Sequence, residues 1–199
     1  MAISRQAWKP SLQMAGASLF NDRITSMNIL TEIHRQEGVD TQGKTVHRTA
    51  IRGVILRGRE LLMVYSSTVG DYKFPGGGLR DSETHEQALA RELEEECGML
   101  LGRFGREIGA VIEYNFPQEL DYDVFKMTSH FYECEADEGS GAQDLDEYEE
   151  RLGFLPVWID IEQAIRLNRA LLDSPQAPQW LQREIFVLEH ILRHLIPGA

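Results

Sequence analysis

The segment from Phe74 to Met99 constrains this chain more than any other. It opens on Phe74-Pro75-Gly76-Gly77-Gly78, a run that breaks regular structure. Thr84-His85-Glu86-Gln87 then fits a capping box, with Thr84 as N-cap and Gln87 reaching back. Leu89, Leu93 and Cys97 recur every four residues and give the predicted helix a core-facing stripe, and Gly98 suits its C-terminal end. Each helical residue turns by about 100°, so Glu92 and Glu96 differ by about 40°, and Glu92 and Glu95 by about 60° the other way. These three carboxylates therefore share one face, an arc of roughly 100°, while Glu94 lies about 160° from Glu92.

Three like charges on one face cost stability unless a cation sits among them. Carboxylate oxygens suit Mg²⁺, Mn²⁺ or Ca²⁺, and no His or Cys joins the cluster to suggest zinc. The adjacent glycines let backbone approach a ligand closely, so a backbone carbonyl can complete the shell. Taken alone, Arg91-Glu92-Leu93-Glu94-Glu95-Glu96 reads more readily as a solvated face, since most Glu-rich helical stretches are.

Around this segment the pattern is β-rich. Ala50 to Leu56 is an apolar strand, Arg57-Gly58-Arg59-Glu60 a hairpin turn, and Leu61 to Tyr65 the returning strand. Two long strands are predicted near Arg106–Tyr114 and Val124–Cys134, followed by an acidic loop from Glu135 to Glu150. Phe154 to Ile159 is a short strand, and Asp160 caps a helix to about Leu172. Ser174 to Pro178 is a linker before an amphipathic helix from Trp180 to Leu195. This order points to a mixed α/β (α+β) sandwich, with helices covering a mostly antiparallel or mixed sheet. Residues 27–199 read as one domain that includes the C-terminal helix. Residues 1–26 lack strong periodicity and read as a peripheral extension, with Met27 as an alternative start.

The formal net charge of −12 repels a phosphate backbone and argues against a nucleic acid polymer as partner. A small phosphorylated substrate remains compatible, provided that cations neutralise its phosphates. No run of about 18 apolar residues suggests a membrane span. The N-terminus lacks the apolar stretch of a secretory signal, and Cys97 and Cys134 form no paired motif. Both read as reduced thiols in a cytoplasmic protein, with a single bridge as the alternative.

The wider spacing decides how the acidic helix is read. Gly77, Glu83, Arg91, Glu92, Leu93, Glu95, Glu96, Gly98 and Met99 fill all the specified positions of the pattern Gly-x5-Glu-x7-Arg-Glu-apolar-x-Glu-Glu-x-Gly-apolar. A chance match has odds on the order of 10⁻⁷ at average residue usage. The segment resembles the Nudix box, and the resemblance extends over residues 27–172, including the Phe-Pro-Gly-Gly lead-in and Pro156-Val157-Trp158.

The resemblance implies an α/β/α sandwich with a central mixed sheet. It implies Mg²⁺, with Mn²⁺ as a substitute, held by Glu92 and Glu96, with Glu95 ligating or assisting and the Gly76 carbonyl as a further ligand. It pairs Arg91 with Glu83 to order the loop. The reaction implied is attack of a metal-activated water on a diphosphate linkage of a small nucleotide, either a nucleoside triphosphate or an ADP-ribose or nucleotide-sugar type. The general base is expected outside the box. Asp144, Asp146, Glu147, Glu149 and Glu150 lie in the acidic loop, of which Glu149 or Glu150 is the choice, with Glu92 acting alone as the alternative. Relatives with a glutamate just before the Pro-x-Trp strand find Gly153 here.

The rival function is a Nudix-fold module that senses a nucleotide without cutting it, and a third is a protein-interaction domain that uses the acidic loop. Tyr65, Tyr72, Phe74 and Tyr114 are candidates to stack a base, although each reads more readily as core or rim. His190 and His194, four residues apart, read as a solvated helix end rather than a metal pair. Trp180, Ile185, Leu188, Ile191, Leu192 and Leu195 form an apolar stripe that docks on the domain or, alternatively, makes a homodimer contact.

Overall fold

Apolar residues on both faces of the central strands require cover on both sides, and the computed structural model, which describes residues 27–196, supplies it. The expected extension at residues 1–26 lies outside the described residues. In chain order the elements are β1 (Ile29–His34), β2 (Thr45–Arg57), β3 (Glu60–Ser66), β4 (Tyr72–Lys73), α1 (His85–Cys97), β5 (Leu100–Asn115), β6 (Val124–Asp137), α2 (Glu147–Leu152), β7 (Phe154–Asp160), α3 (Ile161–Ala170) and α4 (Leu181–His194). The strands form one sheet in the order β1-β5-β6-β2-β3-β4, with β7 also pairing with β3. β1 runs parallel to β5 and β2 parallel to β6, while the other pairs are antiparallel, so the sheet is mixed as expected.

Strand β3 shows how the layers arise. Leu61 and Met63 point to one face, where they meet Ile161, Ala164 and Ile165 of α3 and Val187, Leu188 and Ile191 of α4. Leu62 and Val64 point to the other face, where they join Ile51, Ile55 and the Leu89, Leu93 and Cys97 stripe of α1. The result is an α/β/α sandwich. Each fully buried Leu, Ile or Val in these layers contributes about 1.5–3 kcal/mol. The α4 stripe is thus covered within the chain, with Leu192 and Leu195 packed at the edge of the same core. No helix among the described residues is long and apolar enough to cross a membrane.

Local signals set the ends of α1 as the sequence predicts. Thr84 accepts from the Gln87 amide while the Gln87 side chain accepts from the Thr84 amide, and Gly98 closes the helix in the left-handed conformation. The Asp160 side chain caps α3 by accepting from the amides of Glu162 and Gln163.

Two expectations need correction. The long strands extend further than read, to Leu100–Asn115 and Val124–Asp137, because backbone pairing continues past the apolar core. The acidic segment is not loop to Glu150. Asp146 and Glu149 form a second capping box that starts α2, so local hydrogen bonds outweigh the crowded charge. Cys97 and Cys134 are both free and buried, and burial pushes the Cys134 thiol up to about 11.

Candidate active site

The glycine-rich lead-in runs along β2. The amides of Ile51 and Gly53 donate to the carbonyls of Gly77 and Pro75, each at 2.9 Å, and the Leu79 amide donates to Thr49 at 2.9 Å. Two glycines there sit against neighbouring atoms, and at Gly76 the neighbour is backbone that cannot give way. A Cβ on Gly76, where φ is +129°, would lie 2.1 Å from the Ile51 carbonyl oxygen. A Cβ on Gly77 would lie 2.5 Å from both carboxylate oxygens of Glu92. The backbone therefore lies directly against the acidic face of α1.

Arg91 locks this loop to the helix. Its Nε and Nη2 donate to the two oxygens of Glu83 at 2.7 and 3.0 Å, and Nη2 also reaches the Gly78 carbonyl at 3.1 Å. Nη1 donates to Glu92 at 2.6 Å and to Glu95 at 2.9 Å. The Arg91 hydrogen bonds, helped by the Arg80 amide, hold the Glu83 carboxyl at about 2.

The three acidic positions of the helix do not share one fate. Glu92 and Glu96 turn inward, and Glu149 of α2 meets them. Oxygens of these three carboxylates lie within 4.8 Å of one another. Glu95 stands outside this group, 29% exposed, engaged by Arg91 and Arg80. Glu150 is exposed on α2 and does not join it. Glu96 is 1% exposed, bonded to the Lys73 ammonium and to the Gly76 amide at 2.8 Å. Burial pushes the Glu92 carboxyl up, and the Glu96 charge adds to this while Arg91 opposes it. Burial likewise raises the Glu149 carboxyl, against the Asp146 amide and with the Glu96 charge. An all-oxygen set of this kind fits a hard divalent cation. The Gly76 carbonyl, the expected backbone ligand, accepts a hydrogen bond from Arg52 Nη1.

The cluster lies in a cleft of ≈ 680 Å³, within the range of small-molecule sites. Its other walls carry Arg35, Arg52, Lys73 and Arg183, the aromatics Tyr148, Phe154 and Trp180, and the 176–179 turn before α4. None of the stacking candidates Tyr65, Tyr72, Phe74 and Tyr114 lines this cleft. Phe74 is buried edge-on against Phe131, Tyr114 stacks on His34, and Tyr65 packs on Tyr72.

One wall is a buried ion network. Arg183 Nη1 donates to Glu113 at 2.7 Å and Arg183 Nε to Glu184 at 2.9 Å. Arg35 Nη2 donates to the second oxygen of Glu113 at 2.8 Å. Glu184 accepts in turn from the Phe74 amide at 2.9 Å, which ties α4 to the glycine loop. Beside it, Trp180 Nε1 donates to Asp71 at 2.8 Å, and burial raises the Asp71 carboxyl. Arg52, Lys73, Glu113, Arg183 and Glu184 were not read as site residues from sequence. Their available signal is a charge inside an apolar run, as in Ala50-Ile51-Arg52-Gly53-Val54 and Val111-Ile112-Glu113-Tyr114.

Comparison with known proteins follows the same outline. The family model for the NUDIX domain matches residues 46–182. The chain is similar to an 8-oxo-dGTP diphosphatase of Proteus vulgaris, 63% identical over 30 residues, which cover 15% of this chain and 27% of that protein. It is also similar to an RNA pyrophosphohydrolase of Teredinibacter turnerae, 39% identical over 75 residues, which cover 34% of this chain and 43% of that one. Both alignments thus span less than half of the curated relative. A solved NUDIX hydrolase from Nitrosomonas europaea aligns over 73% of this chain and 89% of its own, at 19% identity and a TM-score of 0.48. Since the family model covers more than half of the sequence, including the glycine loop, α1 and α2, the chain belongs to the Nudix family.

Proposed function

We propose that this protein hydrolyses a diphosphate linkage in a small nucleoside diphosphate derivative, with Mg²⁺ as its metal and Mn²⁺ as a working substitute. The observation that carries this reading is the convergence of Glu92, Glu96 and Glu149 in a cleft that also holds four cationic side chains. The names of the two curated relatives, a diphosphatase and a pyrophosphohydrolase, support the bond type. The acting unit is the domain from residue 27 onward, with α4 as an integral part.

In this reading Glu92, Glu96 and the Gly76 carbonyl hold the metal. A bound Mg²⁺ supplies activation of water and neutralisation of charge on the phosphate oxygens. Glu149 takes the proton from the attacking water. Burial has raised its carboxyl, which brings a carboxylate nearer to the basicity that a general base needs. Arg91, Glu83 and Glu95 position the loop and helix and do not touch substrate. The net charge of −12 keeps the substrate class to small nucleotides, of the nucleoside triphosphate or the ADP-ribose and nucleotide-sugar type.

The test is phosphate release, coupled to alkaline phosphatase or pyrophosphatase as each product requires. The panel holds nucleoside triphosphates, oxidised nucleotides, ADP-ribose, nucleotide sugars and dinucleoside polyphosphates, each with Mg²⁺ and with Mn²⁺. Metal-dependent turnover that falls about a hundredfold or more in Glu96→Gln is expected. Folded, metal-loaded protein that binds a panel member and turns over none of them would replace this reading with a nucleotide sensor.

A further inference from the structure

The four cations of the cleft are not equivalent. Arg35 is paired with Glu113, Lys73 with Glu96, and Arg183 with both Glu113 and Glu184. Arg52 makes no ion pair among the described residues. Its Nη1 donates to the Gly76 carbonyl, and its Nε is buried with no hydrogen-bond partner among the described residues. A guanidinium offers five donors in a planar fork and does not release its proton in a protein. Burial, and next the Arg183 charge, disfavour the cation, while Glu184, Glu96 and Glu92 offset part of that cost from nearby without bonding to it. A metal ion on Glu92 and Glu96 would draw their charge away from Arg52 and leave it in greater need of an anion.

We infer that Arg52 is the phosphate receptor of this cleft, and that its guanidinium, which lines the cleft without an ion-pair partner among the described residues, binds an oxygen of the substrate's diphosphate group. The inference rests on the hydrolase reading only for the identity of that anion. The peptide at Gly76 joins the two halves of the site, since its amide donates to Glu96 and its carbonyl accepts from Arg52. The acidic centre and the receptor are thereby held in fixed relation across one glycine, at a position where a Cβ would strike the Ile51 carbonyl oxygen.

Isothermal titration of the full chain with methylenediphosphonate, a diphosphate analogue whose P–C–P bridge water cannot cleave, tests this in the presence of Mg²⁺. Arg52→Gln is compared with wild type, with Arg52→Lys, and with Arg48→Gln, which removes an exposed cation outside this cleft. Mg²⁺ is titrated alone against each protein. Arg52→Gln is expected to weaken diphosphonate binding by about tenfold to a hundredfold. Arg52→Lys should fall between, Arg48→Gln should match wild type, and Mg²⁺ binding should be kept or tightened in Arg52→Gln. Wild-type affinity for the diphosphonate in Arg52→Gln would overturn the inference, as would the absence of diphosphonate binding in wild type. Joint loss of Mg²⁺ and diphosphonate would also overturn it, since Arg52 would then only brace the Gly76 loop. Turnover is read separately. Arg52-dependent binding without turnover of any substrate would sink the hydrolase reading alone, and turnover with Arg52-independent binding would sink this inference alone.

Discussion

Replacing Arg183 by Met removes a guanidinium that is 3% exposed and bonded to two carboxylates that are 1% and 0% exposed. Glu113 keeps Arg35, but Glu184 is left with only the Phe74 amide. Breaking a buried pair by deleting one partner costs about 3–5 kcal/mol, because the remaining charge stays desolvated. For a domain of this size each kcal/mol lowers Tm by about 2–4 °C, so a fall of about 6–20 °C is expected. The loss should also depend on pH. Burial alone would raise the Glu113 carboxyl, yet Arg183 and Arg35 outweigh it and hold it below the usual carboxylate range. Such a group stabilises the fold above its unfolded pKa, and the contribution is lost as pH falls through the lowered folded value. The gap between wild type and variant should therefore narrow on acidification. Urea unfolding followed by circular dichroism at several pH values measures this. The double variant Arg183→Met/Glu184→Gln, which keeps an acceptor for the Phe74 amide, should recover more than half of the loss. A loss under about 1 kcal/mol at neutral pH, or a double variant no better than the single, would refute the buried-charge argument.

Other consequences are as direct. Glu149→Gln should lower kcat by about a hundredfold or more, whereas Glu150→Gln, one residue away and exposed, should change it by less than about twofold. Equal effects in steady-state assays would remove Glu149 from the proton-transfer role. Asp71→Asn keeps an acceptor for Trp180 but removes a carboxylate whose pKa burial has raised. The stability that wild-type Asp71 gives in its protonated form is lost as pH rises through the raised folded value. Calorimetry should therefore show the Tm of Asp71→Asn gaining on wild type between pH 4 and pH 8, by about 2–4 °C for each kcal/mol relieved, and a constant difference would contradict the burial argument.

Features that depend on near neighbours were legible in the sequence. The Thr84–Gln87 box, the Leu89, Leu93 and Cys97 stripe, the turn before Glu60 and the Asp160 cap are all local arrangements, and the structure shows each one. The pairing of Arg91 with Glu83 lies within a single loop and helix, and it also appears. The cleft was legible only in part, because its other walls come from distant segments. Glu149 reaches Glu92 and Glu96 through α2, and β7, which follows α2, is paired along β3, a register that no local pattern states. Glu92, Glu95 and Glu96 looked equivalent on a helical projection. Tertiary contacts separate them, since Arg80 and Arg91 engage Glu95 while Gly76 and Lys73 engage Glu96. Arg183 and Glu184 interrupt an apolar stripe, and their meaning depends on Glu113, 70 residues earlier.

The hydrogen bond from the Phe74 amide to Glu184 spans 110 residues of chain. During synthesis about 110 further residues are therefore added after Phe74 before this anchor of the glycine loop has been made. Long-range closures of this kind carry their entropic cost before any contact rewards them, and they slow the final stage of folding. The strands before α4 and α1 can assemble early, but the loop beside the acidic centre gains its anchor at the Phe74 amide only when α4 docks. Maturation of the site should then lag behind collapse of the core, so a refolding experiment should show core formation before metal binding appears.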